Sequence, residues 1–491
     1  MDPGKADFCC FLGNRNLMLL VFVPALAFCL GCPAKQKPKE AERLPLEGVK
    51  LRLVVADDAA LAEAVRNLAG EWTAQTGAAL EVAEIAAEEL TATESLPGDA
   101  LLCPSYLLGP LAERKLLAPL PKSLTPEAQW GEIFELLKLR EASWSGERMA
   151  VPCGSPVFCC YYRADLLEKL GRRPPQTWNE YQELAALLAG EAPDAAENKT
   201  PWYGASEPLA PGWAGLTLLA RAAPYLKHRD NYSALFNIET MEPLISGPPM
   251  VRALEELAAA AKFGPPNPLD YDLSAVRAAF WRGECGLALC WSSAAKKAAE
   301  QLPRNIDPKI QVGFAELPGA YEVFNLTSHT WEKRSEEDDR RVPLLAVSGR
   351  LGVASSKATD LPAAFRLLFW LTETHDLPPP AAATEAATLS SLRQMKSAEQ
   401  WVEKPVGPAA ATQYAEVVAA ALRHEQWIDA LRIPGRSEYL AALDEAVAAV
   451  IRDGKPPLDA LLEAEKRWRD ITVRLGVAQQ RAAYRHSLGL P

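Results

Sequence analysis

Short apolar runs of strand length alternate with stretches of helical spacing along most of the chain, a pattern that predicts βαβ units. Val49–Ala56 (VKLRLVVA) begins in alternation and becomes wholly apolar, as a parallel strand covered on both faces does. Ala59–Gly77 takes up helical period and Leu80–Ile85 returns as a second strand, which calls for a right-handed crossover in a doubly wound α/β sheet. A second continuous run, Val157–Tyr162, leads to helical spacing at Asp165–Leu170, a stop at Gly171 and the helix-barring pair Pro174-Pro175. Thr177 and Glu180 can then cap a further helix. Asp99–Leu120 reads as strand, turn at Pro104-Ser105 and helix; Ser274–Ser293 as a helix ending at Phe280 and Gly283, then a buried strand Gly286–Cys290 that delivers Trp291 to a turn. Trp202–Tyr225 reads as a proline-punctuated loop feeding an apolar helix, Pro248–Phe263 and Leu361–Thr372 as helices, Gln311–Gly319 as strand and turn, and the charged insert Asn325–Arg341 as a solvated loop.

A chain of 491 residues that is 49% hydrophobic and 23% charged can bury a large core and is expected to form at least two lobes. Its net charge of -11 excludes the basic footprint of a nucleic-acid binder. Near the N-terminus, Lys5 and Arg15 precede the apolar stretch Leu17–Leu30, fourteen residues that suit a signal-peptide core and fall short of the roughly twenty a membrane-spanning helix needs. Leu30-Gly31-Cys32 resembles a bacterial lipobox with Cys29 at an aliphatic position, so Cys32 is the expected site of lipidation. Cleaved secretion and an uncleaved anchor are the alternatives. Beyond the tether, most of Cys103, Cys153, Cys159, Cys160, Cys285 and Cys290 fit small buried strand positions, with a disulfide such as Cys103–Cys153 as the alternative that export would allow. With five histidines and no CxxC pair, neither a metal nor any other cofactor is expected.

The stretch YYRADLLEKLGRRPPQTWNEY resembles the hallmark of the family 1 extracellular solute-binding proteins, the capture subunits of ABC importers for sugars and related solutes, although Arg163 stands where that family usually has Asn. DALLCPSYLLGPLAERKLLAPL, FWRGECGLALCW and IPGRSEYLAALDEAVAAVIR resemble further segments of the same family, so the resemblance runs from about Val49 to Val473. It implies two doubly wound α/β lobes joined by a multi-strand hinge with a ligand cleft between them, a periplasmic binding protein-like fold of class II. The implied division is 1–31 signal peptide, 32–47 lipid-anchor tether, 48–153 with 312–375 as one lobe, 154–311 with 376–475 as the other, and 476–491 as a C-terminal tail. Expected partners are a carbohydrate ligand, ABC permease subunits and, through the lipid, a membrane; the expected location is extracytoplasmic, and a monomer is expected. The Asn-x-Ser/Thr triplets at Asn198, Asn231 and Asn325 are then chance matches.

In sheets of this kind ligands sit at the carboxyl ends of strands, which makes Asp57 and Asp58 candidate acceptors for sugar hydroxyls, with a solvated helix cap as the alternative. The resemblance adds Trp291, whose indole face can take the C–H face of a sugar, and Trp213 with Glu207 on the loop before the apolar helix; core packing is the alternative for both tryptophans. Cys103 occupies a cleft position that is aromatic in maltose-binding members, with Tyr106 three residues on, and Pro156 occupies one that carries a carboxylate there. Arg393, Arg436 and Tyr439 fall on segments that line the cleft in that family. The same fold presenting its ligand to a sensor and a cell-surface glycosidase are the competing functions, though G-x-S-x-G, H-E-x-x-H, P-loop and G-x-G-x-x-G motifs are absent from the sequence.

Overall fold

The computed structural model describes residues 44–191, 201–335, 339–373 and 378–491; Cys32, its leader and the Asn198 triplet lie outside them. β1 (Lys50–Ala56), α1 (Ala59–Thr76) and β2 (Ala79–Ile85) form the expected parallel βαβ unit. The helix starts where Asp58 Oδ1 accepts the Leu61 amide and stops where Gly77 adopts φ 82°, a conformation open to glycine. There follow α2 (Ala87–Ala92), β3 (Ala100–Pro104), α3 (Leu108–Glu113), β4 (Leu117–Ala118), α4 (Glu127–Glu132), β5 (Ser143–Trp144), β6 (Glu147–Arg148) and β7 (Ala150–Gly154). Next come β8 (Cys159–Arg163), α5 (Ala164–Lys169), α6 (Trp178–Ala189), β9 (Tyr203–Ser206), α7 (Ala214–Leu226), α8 (Pro248–Ala261), α9 (Leu273–Trp281), β10 (Cys285–Cys290), α10 (Lys296–Gln301) and β11 (Val312–Glu316). The chain continues through β12 (Glu322–Asn325), β13 (Thr330–Lys333), β14 (Leu344–Leu345), β15 (Arg350–Ser355), α11 (Leu361–Trp370), α12 (Pro408–Ala421), β16 (Ile428–Asp429), α13 (Arg436–Asp453), α14 (Pro457–Leu475) and α15 (Val477–Ser487).

Two sheets carry the fold. The first has the order β2-β1-β3-β15-β4, with β7 also pairing β15; β1, β2 and β3 run parallel, and β15 is antiparallel to each of its neighbours. The second has the order β11-β8-β10-β9, where only β9 and β10 are parallel. Strands β3, β7, β10 and β15 are buried at every residue, so that, Arg350 and Ser355 at the ends of β15 apart, they read as apolar runs rather than alternations. Close approach fixes two glycines. A Cβ on Gly204 would lie 1.8 Å from the Ala185 carbonyl of α6, and one on Gly154, at φ 138°, would lie 2.2 Å from the Thr388 carbonyl.

Several boundaries differ from the sequence reading. β8 begins at Cys159 and ends at Arg163, so Val157 and Phe158 belong to the crossing from β7. β9 occupies part of the segment read as loop, because YGAS is short and contains Gly204. Part of the insert read as solvated loop is the hairpin β12–β13. β11 pairs with β8, so the return to the first sheet, expected from residue 312, comes only after β14. Residues 476–491, read as a tail, include α15, whose buried Tyr484 bonds Ser233. The Cys103–Cys153 bridge is not formed; all six described cysteines are free and buried. Asn231 and Asn325 are buried with their amides engaged internally, which closes both to glycosylation in the folded chain. No helix among the described residues is long and apolar enough to cross a membrane.

Candidate functional site

The carboxyl ends of β1 and β3 place Asp57, Asp58, Cys103 and Tyr106 close to the start of β15 and of α13. Asp57 leaves the strand at φ 50°, tolerable for aspartate, and is exposed while its Oδ1 accepts the Ala87 amide at 2.9 Å. Asp58 is fully engaged: Oδ1 caps α1, and Oδ2 accepts Arg350 Nε at 2.9 Å, Arg350 Nη2 at 2.7 Å and Thr384 Oγ1 at 2.6 Å. Both charged side chains of that pair are nearly buried, so Asp58 acts as a tie rather than an open acceptor. Cys103 is fully buried, and burial raises its thiol to about 12, leaving it neutral and inert. Tyr106 keeps a partly exposed ring under the Arg436 guanidinium, 4.7 Å from its centroid. Arg436 donates through Nε and Nη2 to the Ala430, Ala346 and Val347 carbonyls; burial pulls it down to about 10, so it stays charged at neutral pH.

An aromatic wall faces the other sheet. Phe158, on the crossing from β7 to β8, packs against Trp291 with centroids 5.4 Å apart and against Trp213 at 6.4 Å, and the two indoles lie 5.6 Å apart. Trp291 directly follows β10, whose buried strand carries it there, and it is held on both sides: its Nε1 donates to the Glu385 carbonyl at 2.9 Å, and its own carbonyl accepts Arg277 Nη1 at 3.3 Å. At 1% exposure it supports the wall, while Trp213 at the head of α7 is the indole that remains partly open. Thr384 bonds Asp58 and the adjacent Glu385 bonds Trp291, so one short segment joins the end of β1 to the end of β10. The arrangement offers an aromatic face, two carboxylates with accessible surface (Asp57 and Glu385), a phenol and a guanidinium.

The family model for bacterial extracellular solute-binding proteins matches residues 58–333 of the chain. The chain belongs to this family. Solved structures of similar fold include the sugar-binding protein MalE of Xanthomonas citri, at 16% identity and TM-score 0.65 over 87% of this chain and 98% of that one. MalE3 of T. maritima, solved with maltose, is 19% identical with TM-score 0.60 over 86% of this chain and all of that one. An ABC transporter solute-binding protein of Agrobacterium radiobacter K84, solved with ribitol, is 18% identical with TM-score 0.60 over 87% of this chain and all of that one. At such identities the likeness establishes the two-lobed fold. None of the curated proteins compared has a significantly similar sequence.

Within this solute-binding protein the remaining candidates fall away from the wall. Glu207 is buried and accepts Arg221 Nη2 through both oxygens, at 2.7 and 2.8 Å. Tyr439 is buried between α13 and α14, its hydroxyl bonded to Thr472 and its ring packed on Phe236 and Trp468. Arg393 is exposed and ion-paired with Glu132 at 2.8 Å. Pro156 is buried in the crossing from β7 to β8. Sequence reading missed Arg350, Phe158, Thr384 and Glu385, whose relevance comes from partners far along the chain. Glu141 is another such residue. It closes the π-helical turn Leu137–Glu141, and its Oε1 accepts Ser155 Oγ at 2.6 Å and the Ala346 amide at 2.8 Å, gripping both crossings between the sheets.

Proposed function

We propose that this protein captures a sugar or polyol between its two lobes and delivers it to an ABC import permease, held at the outer face of a membrane by a lipid on Cys32. The observation that carries the reading is the bridged pair of surfaces, with Trp213 backed by Trp291 and Phe158 on one side and Asp57, Tyr106 and Arg436 on the other. An apolar sugar face lies on the indole while hydroxyls take edgewise bonds from the polar groups. Ribitol and maltose in the structures of similar fold support polyhydroxyl ligands.

Capture works by closure. The empty protein exchanges between open and closed arrangements about the crossings at Gly154–Phe158 and Ala346–Gly349, and a ligand touching both lobes favours the closed one. These crossings divide the two lobes. A permease reads the closed shape, so micromolar affinity, about 8 kcal/mol, suffices. Calorimetry of the leaderless chain against sugars, amino sugars and polyols tests the ligand class, and failure of every member to bind overturns it. Mass spectrometry of the membrane-extracted protein tests the anchor; an unmodified Cys32 rejects it.

A further inference from the structure

Every buried arginine among the described residues stands within 3.6 Å of a carboxylate, Arg350 at Asp58 and Arg277 at Glu385 and Glu403 among them. Arg436, in the first turn of α13, makes no ion pair among those residues. Its Nε and Nη2 are taken up by the Ala430, Ala346 and Val347 carbonyls. The one ionisable group among the described residues close enough to act on its charge is the Tyr106 phenol, whose ring centroid lies 4.7 Å from the guanidinium carbon. Glu438, in the same helical turn, is paired with Arg474 instead.

Two donors here remain open. Arg436 Nη1 makes no hydrogen bond among the described residues and, unlike Nη1 of Arg221, is not closed off from solvent. The Tyr106 hydroxyl, on a partly exposed side chain, is in the same position. α13 begins at Gly435, which brings no side-chain acceptor to the first turn, so the positive end of an 18-residue helix adds to the charge.

A guanidinium desolvated without a counter-charge is costly, and burial already pulls this one below its ordinary value. Water or a sugar hydroxyl can accept from Nη1 but brings no charge. A carboxylate brings both: one oxygen accepts from Arg436 Nη1 and the other from the Tyr106 hydroxyl, in charge-assisted bonds about twice as strong as neutral ones. The other carboxylates of the site leave this place free. Asp57 is exposed, where water and salt screen it, and Glu385 stands 3.3 Å from Arg277.

We infer that the captured solute is a sugar acid, whose carboxylate rests on Arg436 and Tyr106 while its hydroxylated carbons meet the aromatic wall. The inference rests on the capture reading and narrows it from neutral sugars and polyols to their carboxylate-bearing counterparts.

The test is calorimetry of the whole chain with matched pairs: gluconate against sorbitol, ribonate against ribitol, and glucuronate against glucose. At least one acid is expected to saturate with a Kd of about 100 µM or tighter and to bind at least about tenfold more tightly than its neutral partner. That advantage shrinks several-fold between about 20 mM and about 500 mM sodium chloride. Arg436→Gln is expected to cut the acid-to-neutral ratio at least about fivefold and Tyr106→Phe about threefold, whereas Arg436→Lys, which keeps the charge, retains part of it. Because Arg436 also holds backbone carbonyls, the ratio and not the absolute affinity is the readout, and urea unfolding establishes that each variant is folded. The parent's own ratio and its salt dependence decide the matter if the Arg436 variants do not fold. A neutral partner that binds as tightly as its acid, or a ratio unchanged in Arg436→Gln, overturns the inference and leaves carbohydrate capture standing. If no member of any pair binds, both fall.

Discussion

Replacing Glu207 with alanine is expected to destabilise the protein while leaving carbohydrate capture intact. The carboxylate is 4% exposed and the Arg221 guanidinium fully buried. Arg221 directs Nη2 at both Glu207 oxygens, while its Nε and Nη1 already lack partners among the described residues. Removing the carboxylate leaves a buried cation whose remaining support is the Trp178 face, 4.0 Å away, and the Tyr181 ring at 5.5 Å. Breaking one member of such a pair costs about 3–5 kcal/mol, of which the cation–π contact offsets at most about 2. Replacing both members, Glu207→Leu with Arg221→Met, restores most of the stability, because an apolar pair of similar volume removes both desolvation penalties. Urea unfolding followed by tryptophan fluorescence measures the midpoints, and calorimetry with the sugar and polyol panel measures capture. An unshifted midpoint in Glu207→Ala, or a loss of affinity beyond about tenfold at unchanged stability, refutes the reasoning and returns Glu207 to the cleft.

Three further outcomes follow from local geometry. Trp213→Ala is expected to weaken ligand binding about tenfold with a small effect on unfolding, whereas Trp291→Ala costs about 3–5 kcal/mol of stability; calorimetry and urea titration of the two variants separate the roles. At His424 burial opposes the charge, but the Asp339 and Glu316 carboxylates at its two ring nitrogens outweigh it and raise the imidazole to about 9. Because that lies above the unfolded value of about 6.5, the contribution is complete below about pH 6.5 and lost as pH rises through about 9, up to about 3 kcal/mol; His424→Ala flattens stability over this window. Burial lifts the Glu141 carboxyl to about 7 against the hydrogen bonds from Ser155 and Ala346. Stability from its neutral form is complete below the unfolded value of about 4.3 and declines as pH rises through about 7, so Glu141→Gln is expected to unfold at higher urea than the parent at pH 8, by about 1–3 kcal/mol; a lower midpoint there contradicts the upward shift.

Local chemistry made the β1–α1–β2 unit and the cap at Thr177 legible, because period two, period 3.6 and a capping hydroxyl are each written within a few residues. Sheet order was another matter. β15 lies between β3 and β4 although it follows them by about half the length of the chain, and no periodicity encodes that neighbour. The same separation hid the site's wiring. Asp58 was visible as a strand-end carboxylate, but its partners Arg350 and Thr384 stand 292 and 326 residues away. Trp291 was visible as the residue that follows a buried strand, while its burial depends on Phe158, Trp213 and Glu385 arriving from three other segments.

That wiring changes which groups can meet a ligand. A carboxylate with one oxygen on a helix cap and the other receiving three donors has little acceptor capacity left for a hydroxyl, and Asp58 ties the end of β1 to Arg350 and Thr384. The free capacity lies beside it. Asp57 is exposed with one backbone donor, Glu385 has its buried Oε1 3.3 Å from Arg277 and keeps Oε2, which accepts Ser274, as its open oxygen, and Arg436 Nη1 makes no bond among the described residues while Nε and Nη2 are held by carbonyls. On the capture reading proposed above, a polyol on Trp213 would give hydroxyl protons to Asp57 and Glu385 and accept one bond from Arg436. Two acceptors and one donor around a single open indole suit a small polyol or monosaccharide better than a long oligosaccharide, which would require further aromatic faces along the cleft.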